Sequence, residues 1–128
     1  MKFGYTIIYV SNVETTLAFY EQAFKLKKLF LHESLQYGEL DTGDTKLAFA
    51  SEALAELNGV NIINNRNNTD KVPGFEIALI ADDVSVAYQQ ALTAGAVAIK
   101  EPTLKPWGQT VAYVRDLNGV LVEICSQM

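Results

Sequence analysis

Histidine and cysteine are the scarcest chemically versatile residues in this 128-residue chain, which has one of each, His32 and Cys125. A single cysteine excludes a disulfide within the chain, and we expect a cytoplasmic protein. A single histidine restricts transition-metal sites, because imidazole is a favoured ligand of zinc, iron and nickel. We expect His32 on a strand surface rather than as a catalytic base. Cys125 is expected to be a small wall or core residue rather than a reactive thiol.

Long apolar runs and clustered positive charge are also missing. No stretch reaches the length of a membrane span, and the opening MKFGYTIIYVSNVE lacks the apolar core of a signal peptide. The 10 Lys and Arg residues are scattered among 15 Asp and Glu, giving a net charge of −5. Nucleic-acid binding needs clustered cations. We therefore expect neither a nucleic-acid nor a membrane partner.

What the sequence does contain is an internal repeat. Tyr5–Leu26 and Glu76–Val97 both open with an apolar run, pass through a short polar segment and continue as an amphipathic stretch. At a constant offset of 71 residues, Tyr5 aligns with Glu76 and Val13 aligns with Val84. The two halves of the chain therefore share one pattern.

Each copy of the repeat predicts a helix with a polar cap. In the first copy, SNVE fits a capping box with Ser11 as the acceptor and Glu14 reaching back. One helical face then repeats at i, i+4, i+7 and i+11, in Val13, Leu17, Tyr20 and Phe24. In the second copy, Asp82 or Asp83 caps the helix and Gly95 suits its left-handed end.

Three strand-like segments follow each helix, separated by turn residues such as DTGDT and DLNGV. Each half is thus predicted to be βαβββ, and the fold class is α+β. The chain length suits one domain of residues 1–128, with module one at 1–57, an Asn-rich linker at 58–73 and module two at 74–128.

This pattern resembles the vicinal oxygen chelate superfamily, which includes glyoxalase I, extradiol dioxygenases and bleomycin-binding proteins. The segments that carry the resemblance are YVSNVETTLAFYEQAFKL and PWGQTVAYVRDLNGVLVEI. The resemblance implies a cup-shaped mixed sheet built from both modules, with helices on the convex side. One departure is Lys25, where the family often has glycine at the end of the first helix. A lysine in the last turn suits the helix dipole.

The metal enzymes of this superfamily take one ligand from each of four strands. Carried over to this chain, those positions fall on Tyr5, near Ala48–Phe49, on Glu76 and on Glu123. Tyrosine ligates only as a phenolate, Ala48 and Phe49 have no donor, and the family commonly has histidine at the third position. Glu76 and Glu123 are therefore weak metal candidates, and we expect no metal and no other cofactor.

The resemblance then implies a metal-independent binding protein that sequesters an aromatic or cationic small molecule in the cup. The alternative is a metal-dependent lyase, isomerase or dioxygenase of the same superfamily, so catalysis stays open. A wet face of the sheet, with no ligand, would also explain the two acids. If the acids approach each other, one of them is expected to have a raised pKa. The family also implies a homodimer.

Alternation along the strands selects the residues that would face a ligand. Trp107 either stacks on the ligand or packs as a lid on the protein's own core, and Arg115 is expected at the rim. The expected ligand contacts are Tyr5, Ile7, Tyr9, Tyr37, Phe49, Glu76, Trp107, Tyr113 and Glu123.

Overall fold

The chain divides into two compact units, residues Met1–Asn64 and Asn65–Met128. The computed structural model describes residues 1–64, 66–67 and 70–128. The boundary between the units lies within the predicted linker 58–73, of which residues 65, 68 and 69 are outside the described part. That the two modules form one domain stays a prediction.

Unit 1 has one four-stranded sheet, in the order β1-β4-β3-β2, with β1 and β4 parallel and the other neighbours antiparallel. Its elements are β1 Tyr5–Val10, α1 Val13–Phe24, β2 Lys28–Leu31, β3 Tyr37–Leu40, β4 Lys46–Ser51 and α2 Glu52–Leu57. The short helix α2 was not predicted, because six residues are too few to show a helical period.

Unit 2 repeats this topology, with the strand order β5-β8-β7-β6 and a parallel β5–β8 pair. Its elements are β5 Glu76–Ile80, α3 Val84–Thr93, β6 Val97–Leu104, β7 Thr110–Arg115 and β8 Leu121–Cys125. The predicted α+β class and the two βαβββ modules are confirmed.

Helix α1 differs from the prediction at both ends. Asn12, rather than Ser11, is the N-cap, and its Oδ1 accepts a hydrogen bond from the Thr15 backbone N–H at 2.8 Å. The chain stays extended for one residue longer than the capping-box pattern implied, so the acceptor moves with the helix start. At the other end, Lys25 lies beyond the last turn, with a left-handed φ of 59°. Lysine thus adopts the conformation that usually selects glycine.

Helix α3 follows the sequence pattern closely. Of the two predicted capping residues, Asp83 is the N-cap and accepts from the Val86 N–H at 3.0 Å. Gly95 has a φ of 113° just after the helix. The Ala96 N–H returns to the Ala91 carbonyl at 3.0 Å, which closes the helix end as a Schellman-type turn does.

The core of unit 1 lies between α1 and one face of the sheet. Phe49 of β4 is 0% exposed and packs on Tyr20 of α1 with ring centroids 4.8 Å apart. Gly38 of β3 faces the same helix, since a Cβ there would lie 2.6 Å from the Leu17 Cδ1. Strand residues alternate between faces, so Tyr37, Glu39, Ala48 and Ala50 lie on the opposite side. We call that side the open face of unit 1.

The sheet of unit 2 also has one face whose apolar side chains are buried. Helix α3 contacts β6, β7 and β8, and the buried set on the inner face is Ala112, Val114, Val122 and Ile124. The strand register places Tyr113, Glu123 and Ala78 together on the other side. We call that side the open face of unit 2.

A buried turn joins β7 to β8. Oδ1 of Asp116 accepts from the backbone N–H of Asn118 at 2.7 Å and from that of Val120 at 2.9 Å. Gly119 has a φ of 82°, as the predicted Asn-Gly turn requires. The carboxylate of Asp116 thus holds the two strands that carry Tyr113 and Glu123.

Among the residues described, none of the helices has the length and hydropathy needed to cross a membrane.

Candidate functional site

Unit 1 carries a tyrosine–glutamate pair on its open face. The hydroxyl of Tyr37 donates a hydrogen bond to Oε2 of Glu39 at 2.9 Å. Both residues lie on β3, two positions apart, so their side chains leave the sheet on the same side. Glu39 is only 9% exposed. The sheet therefore holds a nearly buried carboxylate whose partner is a phenol rather than a cation.

The phenol of this pair keeps its proton at neutral pH. Burial raises the pKa of Tyr37 above its ordinary value, and the hydrogen bond to Glu39 and the charges of Glu39 and Tyr5 raise it further. A phenolate beside a carboxylate would be repelled. Tyr37 is therefore a permanent donor to Glu39, and Tyr5 is near enough to influence it.

Sequence reasoning did not identify Glu39, although the alternation was visible. Tyr37 and Glu39 flank Gly38 in QYGEL, just as Leu121 and Glu123 flank Val122 in LVE. The strand register shows which positions are equivalent in the two sheets. Glu39 pairs with Ala48 across β3–β4, and Tyr113 pairs with Glu123 across β7–β8. The acid thus lies on the third strand of unit 1 and on the last strand of unit 2.

In unit 2, three side chains surround Glu123. The hydroxyl of Tyr113 donates to Oε2 of Glu123 at 3.0 Å. The side chains of Glu76 on β5 and Cys125 on β8 are also hydrogen-bonded to Glu123. Three elements therefore converge on one carboxylate in the middle of the strand VLVEIC.

Each donor around Glu123 holds its proton more tightly than usual. Burial, followed by the hydrogen bond to Glu123 and nearby charge, raises the pKa of Tyr113 to about 12 and that of Cys125 to about 11. The pKa of Glu76 is raised by the same causes, in the same order. This is the outcome expected for two carboxyl groups at hydrogen-bonding distance. The carboxyl group of Glu76 thus holds its proton to a higher pH than an isolated glutamate does.

The four positions that the resemblance assigns to metal ligands form a poor donor set. In unit 1, Tyr5 offers a phenol, and Ala48, which pairs with Ile7 and Glu39, offers no donor atom. In unit 2, the two acids Glu76 and Glu123 are hydrogen-bonded to each other. Within the described ranges, no group of three or more His, Cys, Asp or Glu side chains is arranged to hold a metal ion. These residues do not fit the metal centre of the superfamily.

Of the nine predicted ligand contacts, seven lie on an open face, and Phe49 and Trp107 do not. Tyr5, Ile7 and Tyr9 pair with Lys46, Ala48 and Ala50 across β1–β4 and lie on the open face of unit 1 with Tyr37. Glu76, Tyr113 and Glu123 lie together on the open face of unit 2.

Phe49 is buried in the core, and its assignment as a ligand contact is corrected. It points into the core toward Tyr20. The physical reason is the period of two along a strand, because the neighbouring Ala48 takes the position on the open face.

Trp107 lies on an exposed turn between β6 and β7. It is 62% exposed, so it does not form a lid over the protein's own core. Its Nε1 donates to Oε1 of Gln109 at 3.0 Å, and Nε2 of Gln109 donates to the Ser126 carbonyl at 2.9 Å. The indole is therefore held in place while its ring stays accessible.

Three further residues are placed as follows. His32 lies exposed just beyond β2, where Nδ1 is 2.8 Å from Oγ of Ser34. Cys125 is buried and its thiol is protonated at neutral pH, as expected for a wall residue. Arg115 was expected at a rim, but it is buried, because it lies on an inner strand between Val97 of β6 and Leu121 of β8.

Comparison with solved structures shows the fold clearly. A glyoxalase/bleomycin resistance protein/dioxygenase family enzyme from Burkholderia phytofirmans PsJN is 22% identical, with a TM-score of 0.81 and 100% of both chains covered. A glyoxalase-related enzyme from Fulvimarina pelagi is 18% identical, with a TM-score of 0.81 over 98% of this chain and 88% of that chain.

A third similar structure is a member of the glyoxalase/bleomycin resistance protein/dioxygenase superfamily from Sphaerobacter thermophilus DSM 20745. It is 22% identical, with a TM-score of 0.69 over 99% of this chain and 98% of that chain. No curated protein matches this sequence. The family description "Glyoxalase-like domain" matches residues 3–128. The chain therefore belongs to the glyoxalase-like domain family, within the vicinal oxygen chelate superfamily.

Proposed function

We propose that this protein binds a small aromatic or cationic molecule without a metal ion and sequesters it on the open faces of its sheets. The observation that carries the proposal is the carboxyl group of Glu123, which accepts from the Tyr113 hydroxyl and lies beside Glu76 and the protonated thiol of Cys125. Such a group can accept hydrogen bonds from a ligand and can attract positive charge.

The composition of the open faces supports the same ligand class. Pockets for small molecules are mostly apolar with a few polar groups at fixed positions, and the open face of unit 1 combines Ile7 and Ala48 with Tyr5 and Glu39. Aromatic faces and carboxylates both attract cations. A flat apolar ligand that carries an amine would use both kinds of contact.

The enzyme alternative, a metal-dependent lyase, isomerase or dioxygenase, finds less support in these residues. The names of the similar structures cover both enzymes and resistance proteins, so the family does not choose between them. The side chains at the four metal-ligand positions favour metal-free binding of a small molecule. Ala48 stands where a metal ligand would be, and Glu76 and Glu123 interact with each other through a hydrogen bond.

Binding to a panel of cationic aromatic compounds tests the proposal. We expect the fluorescence of the single tryptophan or calorimetry to report binding, and Glu123→Gln to weaken it about tenfold because a charged acceptor is lost. Glu76→Gln should have a smaller effect, since the raised pKa of Glu76 makes its negative charge less available than that of an ordinary glutamate. Glu101→Gln, an exposed acid on β6, is the matched control and should change nothing. The proposal fails if no compound binds, or if the Glu123 variant binds as the parent does.

The same assay has a defined pH dependence. The pKa of Glu76 is raised, so Glu76 becomes negatively charged at a higher pH than an isolated glutamate does. Affinity for a cationic compound should therefore increase as pH rises through that pKa, and Glu76→Gln should remove the increase.

We also propose a homodimer in the cytoplasm. Large apolar side chains are exposed on unit 2, among them Ile80 and Leu104, and exposed apolar surface of this kind is common at subunit contacts. Light scattering at micromolar concentration should give twice the chain mass of 14.1 kDa. A mass of one chain would refute the dimer.

A further inference from the structure

Two aromatic rings and one carboxylate lie together on the open face of unit 1. Phe30 of β2 pairs directly with Glu39 of β3, and the rings of Phe30 and Tyr37 are 6.0 Å apart between centroids, tilted by 49°. Tyr5 of β1 lies on the same face, where the register aligns it with Lys46 rather than with Glu39 or Tyr37. We call Phe30, Tyr37 and Glu39 the aromatic–carboxylate cluster.

Small side chains on β4 border this cluster. Ala48 pairs with Glu39, and Ala50 pairs with Tyr37 and, on the other side, with Tyr9. Methyl groups at these two positions leave the space above β4 free between the aromatic residues of β1 and β3. Phe30 and Tyr5 are 40% and 54% exposed, so much of each ring is available to a ligand.

The carboxylate in the cluster keeps an acceptor for a ligand. The Tyr37 hydroxyl bonds to Oε2 of Glu39, whereas a carboxylate has two oxygens and about four acceptor positions. Because Tyr37 stays protonated, it fixes the carboxylate and adds no charge of its own. The cluster therefore combines a fixed negative charge with exposed aromatic faces.

We propose that the aromatic–carboxylate cluster is a subsite for a quaternary ammonium group. Such a group has no N–H to donate, so its recognition rests on aromatic faces and a nearby negative charge, which are the two elements present here. Its weak hydration also lowers the cost of moving it from water to a half-buried face. The inference rests on the proposed small-molecule function and names the chemistry of one part of the ligand.

One lysine on this face has to be considered. Lys46 pairs with Tyr5 across β1–β4, and a free ammonium there would repel a cationic ligand. The ammonium of Lys46 is hydrogen-bonded to the carbonyl of Gly43 in the β3–β4 turn. Its charge remains, but it is directed to the turn, whereas Glu39 pairs with Ala48 two residues further along β4.

The test uses choline and its neutral analogue, in which a tert-butyl group replaces the trimethylammonium group. Calorimetry on the full chain should show choline binding at least about tenfold more tightly than the neutral analogue, because the two differ in charge and little in shape. Amide shifts in a nitrogen-15 labelled sample should change along β2, β3 and β4.

Variants then locate the subsite. Glu39→Gln should weaken choline binding roughly tenfold while the amide oxygen still accepts from Tyr37. Phe30→Leu should weaken it several-fold, and since Phe30 is exposed this variant should fold even if Glu39→Gln does not. Glu33→Gln, an exposed acid in the turn after β2, should bind choline as the parent does.

Three results would overturn the inference: equal affinity for choline and its neutral analogue, shift changes confined to β7 and β8, or unchanged binding in both Glu39→Gln and Phe30→Leu. Failure with choline while cationic aromatic compounds still bind and respond to Glu123→Gln would reject this subsite alone. Failure with every compound would reject the proposed function as well.

Discussion

Replacing Phe49 with alanine is expected to lower the free energy of unfolding by roughly 3–5 kcal/mol, the usual cost of removing a large aromatic side chain from a packed core. Phe49 is 0% exposed, and its ring contacts that of Tyr20 at 4.8 Å between centroids. The ring centroid of Tyr20 in turn lies 5.1 Å from that of Phe24 and 5.8 Å from that of Phe19. The substitution would leave a cavity within this aromatic group, which the surrounding helix and sheet can fill only in part. Urea unfolding followed by circular dichroism measures the loss.

The matched control lies on the other face of the same sheet. Tyr5→Ala removes an aromatic ring that is more than half exposed, so the free energy of unfolding should fall by less than about 1 kcal/mol. The pair of variants also tests the corrected role of Phe49. If Phe49→Ala weakened ligand binding and left stability unchanged, Phe49 would be a ligand contact and its position in the core would be wrong.

Replacing Asp116 with alanine is expected to destabilise the protein by roughly 2–4 kcal/mol, since hydrogen bonds to a charged group and the desolvation of orphaned donors both contribute. The side chain is 4% exposed and accepts from the backbone N–H groups of Asn118 and Val120. Without it, both donors would be left inside a buried turn. The change should appear in urea unfolding as a lower midpoint with the same slope.

The effect of this turn should extend to the candidate site. The turn sets the register of β7 against β8, and that register places the Tyr113 hydroxyl 3.0 Å from Glu123. Asp116→Asn keeps an acceptor oxygen and should cost less than Asp116→Ala. Asp44→Ala, in the exposed turn between β3 and β4, should be nearly neutral. Equal stability of the Asp44 and Asp116 alanine variants would contradict the role given to the buried carboxylate.

The repeat, the helices and the tight turns could be predicted from the sequence because each depends on residues close together in the chain. The offset of 71 residues aligns β1 with β5 and α1 with α3, and both modules have the predicted strand count. Asp83 caps α3 and Gly119 takes the left-handed conformation in the β7–β8 turn, as their residue types indicated. Local preferences of this kind need no knowledge of the partner strand.

Features that change when a position shifts by one residue could not be predicted in the same way. The capping pattern placed the start of α1 at Ser11, and the structure places the cap at Asn12. Ala48 and Phe49 were equivalent candidates until the packing of Phe49 on Tyr20 showed which face each occupies. A shift of one residue along a strand exchanges the two faces of a sheet, so alternation alone leaves this choice open.

The acid in VLVEIC shows where the two kinds of information meet. The sequence by itself determined that Glu123 interrupts an apolar strand in a repeated βαβββ pattern, since periodicity and turn residues are local. Only the tertiary structure decided its partners, which are Tyr113, Glu76 and Cys125. It also showed that the acid of unit 1, Glu39, lies on a different strand of its module, beside Tyr37. The physical reason is that hydrogen bonds between strands join residues far apart in the chain, and strand register brings them together only when the sheet forms.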